Sequence, residues 1–593
     1  MYEMTVGEYL EKVRKRRKLS AKKVCEGICD PSMYRRYEND EISPGIYTLK
    51  CLLERMGVDP LNINYICSEE EYTFEILRTD IVKKLEMQDL DSVRRIVEDY
   101  KNRLPKRAKV IHIQFILYIE AEILLQQEKR EESFFHLKQA FEATKGNLFF
   151  PSGQELYTLI EFKILMQICK ICGECNNWEK LLRYVITMED DNIIKLRYYG
   201  EVVRNFCLLL KEKDEHKVLF LIEEALEYHK KMYIFRGVKE LLEIKNKIHN
   251  IRDKVEKKMM HVCTFLHENV KENYESGLPQ YRKSLLLKQR RIEVGLTRES
   301  LSEGVCDVTT LLRYENGVLD PSDEKYMELM SRMDNDIEMY QLSYETGKII
   351  DVEEYRKWEE FFQKHKEEEV IDEILSCSGY DVIKGSEAQQ YYDRFMLYKK
   401  YYCDKEIDAF GYIKKLEEIV SRTIREYKEG DYSINKLLTE TEIYILNDIA
   451  IAYIDIKKYD FAEKIYMKLR EYFKSEQAGV MELARHKIMI NYSNLLGQMG
   501  KYKESYEVCN DLLDSALINT KQKLLFNPLF NMGWNIMESI KKKTPIGTIG
   551  QAREFINSSC LLCRYYNESE VAQKVMSDYY KSNFSDNMVL YKE

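Results

Sequence analysis

Cys169, Cys172 and Cys175 have the spacing that most invites chemistry, because thiolates three residues apart can close on a zinc ion. A tetrahedral site needs a second such pair or two histidines, and the neighbouring sequence offers neither. Cys169 and Cys172 share an apolar helical face with Leu165 and Ile168, so they are expected as buried structural cysteines, and Cys560 and Cys563 likewise. The 9 histidines form no His-Glu-x-x-His, and Gly497-Gln-Met-Gly500-Lys501 is too short to cradle a phosphate. No serine, histidine and aspartate constellation suggests nucleophilic catalysis. The sequence therefore points to no enzyme, metal or cofactor. Recognition chemistry remains, carried by arginine, asparagine, serine and threonine side chains placed on helices.

Those side chains recur. Residues 19–39 read LSAKKVCEGICDPSMYRRYEN, and residues 296–316 read LTRESLSEGVCDVTTLLRYEN. One offset relates them: 38 + 277 = 315 takes Glu38 to Glu315, and the same offset takes Leu10 to Leu287, Arg14 to Arg291, Pro44 to Pro321, Arg55 to Arg332 and Met56 to Met333. An internal duplication is the economical explanation. Each copy predicts a short helix capped by Ser20 or Thr297, then a turn at Gly27–Asp30 or Gly304–Asp307. A second helix follows, starting at Ser32 or Thr309 behind a capping aspartate and turning Tyr37 or Tyr314 inward. A second helix so presented suits the DNA major groove.

Both stretches resemble the phage-repressor and Cro-type (XRE) DNA-binding domain, from the Leu-[Ser/Thr] opening through Arg-Tyr-Glu-Asn to the proline six residues on. The Gly-[Ile/Val]-Cys turn is similar to that of the Rgg/PlcR/PrgX/NprR group, peptide-responsive regulators of Gram-positive bacteria that place such a domain before a tetratricopeptide-like helical array. The resemblance implies base contacts from Ser32, Arg35 and Arg36 in the first copy, with Pro31 contributing shape, and from Val308, Thr309 and Arg313 in the second. Arg36 and Arg313 suit bidentate contact with guanine O6 and N7, and Val308 or Thr309 suits a thymine methyl group. Arg35 stands opposite Leu312, which predicts an asymmetric operator. Backbone contacts are expected from Ser20, Asn39, Thr297, Arg298 and Asn316, and phosphate proximity for some of Lys15–Lys18. The pairs Arg14–Glu38 and Arg291–Glu315 are read as stabilising ties. The family works as symmetric dimers, so a homodimer of this chain is a further expectation beside the tandem.

The elements that must position these residues are helical. The 593 residues hold only 9 Pro and 24 Gly, and their length calls for several domains. Net charge is −9, so nucleic-acid binding has to come from local patches. The 15 scattered cysteines, the lack of an apolar run of about 18 residues and the lack of a leader predict a soluble, cytoplasmic protein away from membranes. The expected fold is all-α: a helix-turn-helix domain at 1–62, a tetratricopeptide-like array at 66–276, a second helix-turn-helix domain at 281–340 and a second array at 341–593, with Gly277-Leu278-Pro279 as the plainest boundary. In the second array Ala450, Ala452 and Tyr453 with Tyr459 and Ala462 predict one helix pair, and Asn494–Gly497 with Tyr502 and Ser505 the next. Their spacing, 502 − 459 = 43, exceeds the roughly 34 residues of the standard repeat.

Asn447, Asn491 and Asn535 stand evenly spaced, 491 − 447 = 44 and 535 − 491 = 44. An asparagine amide both donates and accepts, which suits an extended peptide backbone. The resemblance makes them candidates for holding a short signalling peptide, and Asn205 is the nearest counterpart in the first array. The sequence thus reads as a DNA-binding transcription regulator with an effector site. Its alternative is a protein-interaction scaffold whose helix-turn-helix copies no longer bind DNA, which the acidic total favours mildly.

Overall fold

The computed structural model describes residues 6–60, 65–104, 109–210, 214–248, 254–269, 280–333, 387–424, 427, 438–474, 482–516, 525–566 and 570–584. The boundary motif at 277–279 and the first residues of the expected second array, 341–386, lie outside them.

Among the described residues the fold is all-α apart from one small ribbon. Head 1 comprises α1 (Val6–Arg16), α2 (Ala21–Cys25), α3 (Pro31–Glu38) and α4 (Ile46–Arg55). After β1 (Tyr65–Cys67) come α5 (Glu69–Glu86), α6 (Leu90–Arg103), α7 (Val110–Gln126), α8 (Arg130–Lys145), α9 (Leu159–Cys172), α10 (Cys175–Ile186), α11 (Ile193–Leu210), α12 (Glu215–Met232), α13 (Val238–Ile248) and α14 (Lys254–Asn269). Head 2 follows β2 (Gln280–Arg282) with α15 (Lys283–Glu293), α16 (Arg298–Ser302), α17 (Val308–Glu315) and α18 (Asp323–Ser331). The first three helices of the heads start and end in the register set by the sequence offset, as in 283 − 6 = 277. The ribbon was not foreseen: β1 and β2 pair in parallel, Ile66 opposite Tyr281, and lace the exit of head 1 to the entrance of head 2.

Helices in the arrays pack on their neighbours in sequence, and local signals set their ends. Thr158 and Glu161 form a capping box at the start of α9, and Gly173, at φ +68°, ends it. The next helix, α10, begins at Cys175, so the turn between them is only Gly173 and Glu174. The second array contains the expected helix pairs Glu440–Asp455 with Tyr459–Lys474 and Glu482–Gln498 with Tyr502–Ala516, followed by Phe526–Lys541, Ile549–Tyr565 and Glu570–Asn583.

Both arrays contain the same buried relay. Gln114 donates to Ala140 O (3.0 Å) and Thr144 Oγ1 (2.7 Å), and Thr144 donates to Glu161 Oε1 (2.6 Å). Gln390 donates to Ile419 O and Thr423 Oγ1, both at 3.0 Å, and Thr423 donates to Glu442, whose capping box with Thr439 matches that of Glu161.

The apolar core of the described residues falls into three clusters. The largest runs from head 1 through the first array and takes in the last helices, from Cys509 to Phe584. A second joins Tyr281 and Leu286, at the entrance of head 2, to the middle of the second array, and a third lies within head 2, built on Leu287, Leu301, Leu311, Tyr314, Tyr326, Leu329, Met330 and Met333 with Ile66 of β1 packed against it. The C-terminal helices reach the first array because Ile549–Tyr565 packs on α14. Phe265 meets Phe555 edge-on at 5.3 Å, and Tyr566 donates to Ile234 O at 2.8 Å. The two halves of the chain are thus joined where the arrays end as well as at the ribbon between the heads.

Candidate nucleic-acid interface

Asp30 ends the turn of head 1 and caps α3, its carboxylate accepting from Ser32 N (2.8 Å) and Ser32 Oγ (2.6 Å). Pro31 sits at the first helical position, where a missing N–H costs nothing, so the helix starts one residue before the expected Ser32. Head 2 repeats this with Asp307 and Thr310, and α17 starts at Val308 instead of Thr309. These donors hold both carboxyls below the ordinary carboxylate range, the side-chain hydroxyl first and the backbone amide next. Ser20 and Thr297 cap α2 and α16.

Arg–Glu ties fix each second helix, part-buried in head 1 and buried in head 2. Arg14 grips Glu38 through Nε to Oε1 at 2.6 Å and Nη2 to Oε2 at 3.0 Å. Arg291 grips Glu315 in the same bidentate way, Nη2 to Oε2 at 3.1 Å, and each arginine also donates to the carbonyl at the start of the next turn, Leu19 or Leu296. With Tyr34, Tyr37, Leu311 and Tyr314 buried, the opposite face of each helix points outward. Pro31, Ser32, Arg35, Arg36 and Asn39 are exposed in head 1, as are Val308, Thr309, Leu312, Arg313 and Asn316 in head 2.

The outward faces differ in character. In head 1, Glu41 accepts from Arg36 Nε (3.2 Å) and Asn39 Nδ2 (3.2 Å). Val318 occupies the matching place in head 2 and is 65% exposed; Arg313 makes no ion pair among the described residues. Beside it Val308, Leu312 and Leu319 are exposed as well. Ser32 already donates its hydroxyl to Asp30, so base contact there requires an exchange of partners.

Two of the basic residues are engaged within the protein. Arg298, expected at the DNA backbone, donates from Nε to Glu315 Oε2 at 2.7 Å and completes the tie that holds α17. Arg17, in the basic run, turns to the protein and pairs with Glu189 and with Asp191 (3.0 Å), which docks head 1 on the first array.

The three evenly spaced asparagines are brought together only in part. Asn447 and Asn535 are 1% exposed. Asn447 Oδ1 accepts from Tyr466 Oη (3.2 Å) and Asn491 Nδ2 (3.0 Å), and Asn535 Nδ2 donates to Ser505 Oγ (2.7 Å). Their even spacing follows the helix-pair period, and the period puts two of them between helices. Half-buried Asn491, exposed Asn494 and half-buried Asn531 and Trp534 are what the inner helices leave open, with Asn531 Nδ2 donating to Asn494 Oδ1 at 2.8 Å. Asn494 and Asn531 were not singled out as ligands in the sequence. In the first array Asn205 donates to Glu201 O within its own helix.

Cys169 is buried as expected, whereas Cys172 is exposed, because the helix turns its last residue away from the core before Gly173. Burial pushes the Cys169 thiol up. Among the described residues, no group of three His, Cys, Asp or Glu side chains is placed to hold a metal, and no helix is long and apolar enough to cross a membrane.

No protein-family model matches this chain, and no curated protein matches it. Among solved structures it is similar to Bacillus thuringiensis PlcR in complex with the peptide PapR7 and DNA, at 16% identity over 51% of this chain and 99% of that one, with a TM-score of 0.31. It is also similar to a circular tandem repeat protein of novel repeat topology, at 12% identity over 86% and 95% of the two chains, with a TM-score of 0.12.

Proposed function

We propose that this chain is a sequence-specific, double-stranded-DNA-binding regulator of transcription that carries two reading heads in one polypeptide. One observation carries the proposal. Two helices 277 residues apart in the sequence are capped by equivalent aspartates, tied by equivalent Arg–Glu pairs, and present an arginine outward at the same position, Arg36 and Arg313. A helix held rigidly behind and arginine-bearing in front is what bidentate reading of guanine requires. Ser20, Thr297, Asn39 and Asn316 are assigned to the phosphate backbone, where they set register without sequence preference. Joining two heads covalently replaces a bimolecular association with an intramolecular one.

The arrays are assigned to an effector, a short peptide, held by Asn491 with Asn494 and Asn531 in place of the enclosed Asn447 and Asn535. Peptide titration followed by tryptophan fluorescence tests this, since Trp534 lies against Gly497 on the helix that carries Asn491 and Asn494: Asn491→Ala should weaken binding, and superimposable curves would remove the assignment.

Selection of bound duplexes from a random pool tests the DNA reading. A two-part site with unlike halves is the expected product, and no enrichment at low salt would contradict it. The scaffold reading draws on a specific feature, the apolar outer face of head 2 (Val308, Leu312, Val318, Leu319). The same face suits thymine methyl groups, and the selection separates the two.

A further inference from the structure

The acidic run Glu69-Glu70-Glu71 opens α5, between the two heads. We infer that Glu69 is the positioning residue that sets head 2 relative to head 1 and thereby the spacing of half-sites the protein accepts; the inference rests on the two-head reading of function.

Successive helical residues lie about 100° apart, so the side chains of Glu69 and Glu71 leave the first turn on nearly opposite sides. Glu71 turns to head 1. Its Oε1 accepts from Ile46 N at 3.1 Å, at the start of α4, while its Oε2 serves the capping box with Ser68. A Cβ at Gly45 would stand 2.7 Å from that Oε1, so glycine is what lets the carboxylate approach.

Glu69 turns to head 2. Its backbone N–H donates to Asp320 Oδ1 at 3.1 Å, so a side chain of head 2 caps α5. Its Oε1 accepts from the Ser284 hydroxyl in the first turn of α15, and its Oε2 lies 3.5 Å from Arg282 Nη1. The guanidinium of Arg282 in turn lies over the Tyr72 ring of α5, 4.7 Å from its centroid. The carboxyl rests on Gly317, where an added Cβ would stand 2.8 Å from Glu69 Cδ.

Head 1 shows what Glu69 replaces. There Asp40, at φ +55°, caps its own head, its Oδ1 accepting from Gly7 N at 2.9 Å. The matching pair in head 2 is Gly317, at φ +66°, and Ser284. Head 2 has given up its own carboxylate, and the gap is filled by a carboxylate from outside the head, with the serine hydroxyl extending toward it. The two substitutions make sense together only if Glu69 sits between them. Glu70, exposed and touching neither head, is the internal control.

The test is a selection from duplexes whose two half-sites are separated by a random-length spacer, using the full-length wild type, Glu69→Ala, Gly317→Asp and Glu70→Ala. Gly317→Asp gives head 2 a cap of its own, in a backbone conformation that Asp40 already adopts, while evicting Glu69, so it keeps the head folded and breaks only the contact. Wild type and Glu70→Ala should enrich one spacing. Glu69→Ala and Gly317→Asp should enrich the same half-sites but lose about tenfold of the preference for that spacing, the size expected for a charged hydrogen bond. Hydrogen exchange should quicken at Tyr281–Ser284 in both variants. Unchanged half-sites with unchanged spacing in both would overturn the positioning role alone. No duplex enriched by any of the four proteins would sink the DNA reading and this inference with it.

Discussion

Arg55 and Arg332 occupy the same place in the two heads, and their surroundings have diverged. Each donates through Nη1 to the equivalent turn carbonyl, Glu26 O or Glu303 O. Beyond that, Arg55 is enclosed with Glu161 of the first array, both side chains at 0% exposure, through Nε to Oε2 at 3.1 Å and Nη2 to Oε1 at 2.6 Å. Burial alone would raise Glu161, but Arg55 and then Lys145 hold it below the ordinary range. Arg332 is exposed and meets Glu328 of its own helix. The rest of the face agrees. Tyr47, Thr48, Cys51 and Glu54 are buried against the array, whereas their counterparts Glu324, Lys325, Glu328 and Ser331 are exposed and polar. Head 1 is built into the array core, while head 2 has a core of its own and joins the second array's core only through Tyr281 and Leu286 at its entrance.

The sharpest way to break this comparison is to delete both arginines in turn. Arg55→Ala leaves Glu161 buried without its main partner and should cost about 3–5 kcal/mol in denaturant unfolding. Arg332→Ala removes an exposed pair and should cost less than about 1 kcal/mol. Equal costs would mean the heads are docked alike.

The turn glycines give a second contrast. A Cβ at Gly27 would stand 1.8 Å from Thr144 O of the array, at φ +68°, whereas at Gly304, φ +76°, the nearest atom is Arg332 Nη2 at 3.7 Å. Gly27→Ala should cost about 2–4 kcal/mol from crowding plus backbone strain, and Gly304→Ala about 1 kcal/mol from strain alone. Thermal unfolding of the two variants checks the ranking.

A pH dependence should belong to the seam between head 1 and the first array, where His112 of α7 meets Tyr47 of α4. His112 packs edge-on against Tyr47 at 5.1 Å. Arg78 Nε donates to Tyr100 Oη at 2.9 Å, which leaves the Tyr100 hydroxyl to donate to His112 Nδ1 at 2.6 Å. Burial first, then Arg78 and Lys109, lowers His112 from 6.5 to about 3. The folded state therefore keeps the ring neutral while the unfolded chain protonates it, so this contribution is whole above pH 6.5 and is lost as pH falls toward 3. The slope approaches about 1.4 kcal/mol per pH unit in that window, and His112→Gln should flatten it.

The smallest effect concerns Glu41. Removing it releases Arg36 and Asn39, and Glu41→Ala should tighten low-salt duplex binding by no more than a few-fold, the scale of about 0.5 kcal/mol for an exposed pair. Val318→Glu should weaken binding by a similar factor, by giving head 2 the carboxylate it lacks. Both are read by titration at two salt concentrations.

Local chemistry was legible in the sequence wherever partners lie close along the chain. The caps at Asp30, Asp307, Ser20 and Thr297 follow from residue type and spacing, and the ties Arg14–Glu38 and Arg291–Glu315, within the same motif, are what the resemblance implies. Arg55–Glu161 does not, since nothing near Arg55 distinguishes it from Arg332 until the array supplies a carboxylate. The exchange of Asp40 for Gly317 reads in the sequence as a lost cap and acquires meaning only when Glu69 is beside it. Asn447 and Asn535 show the limit of periodicity, which finds equivalent positions in successive repeats but not which of them face a neighbouring helix.

The central claim is that two heads of unlike character read two adjoining DNA segments. Titrating the selected two-part duplex with Arg36→Ala, Arg313→Ala and the double variant tests it most directly. Each single change should cost about 1–3 kcal/mol and relax preference in its own half-site only, with the losses adding in the double variant. Affinity and preference left untouched by all three would contradict it.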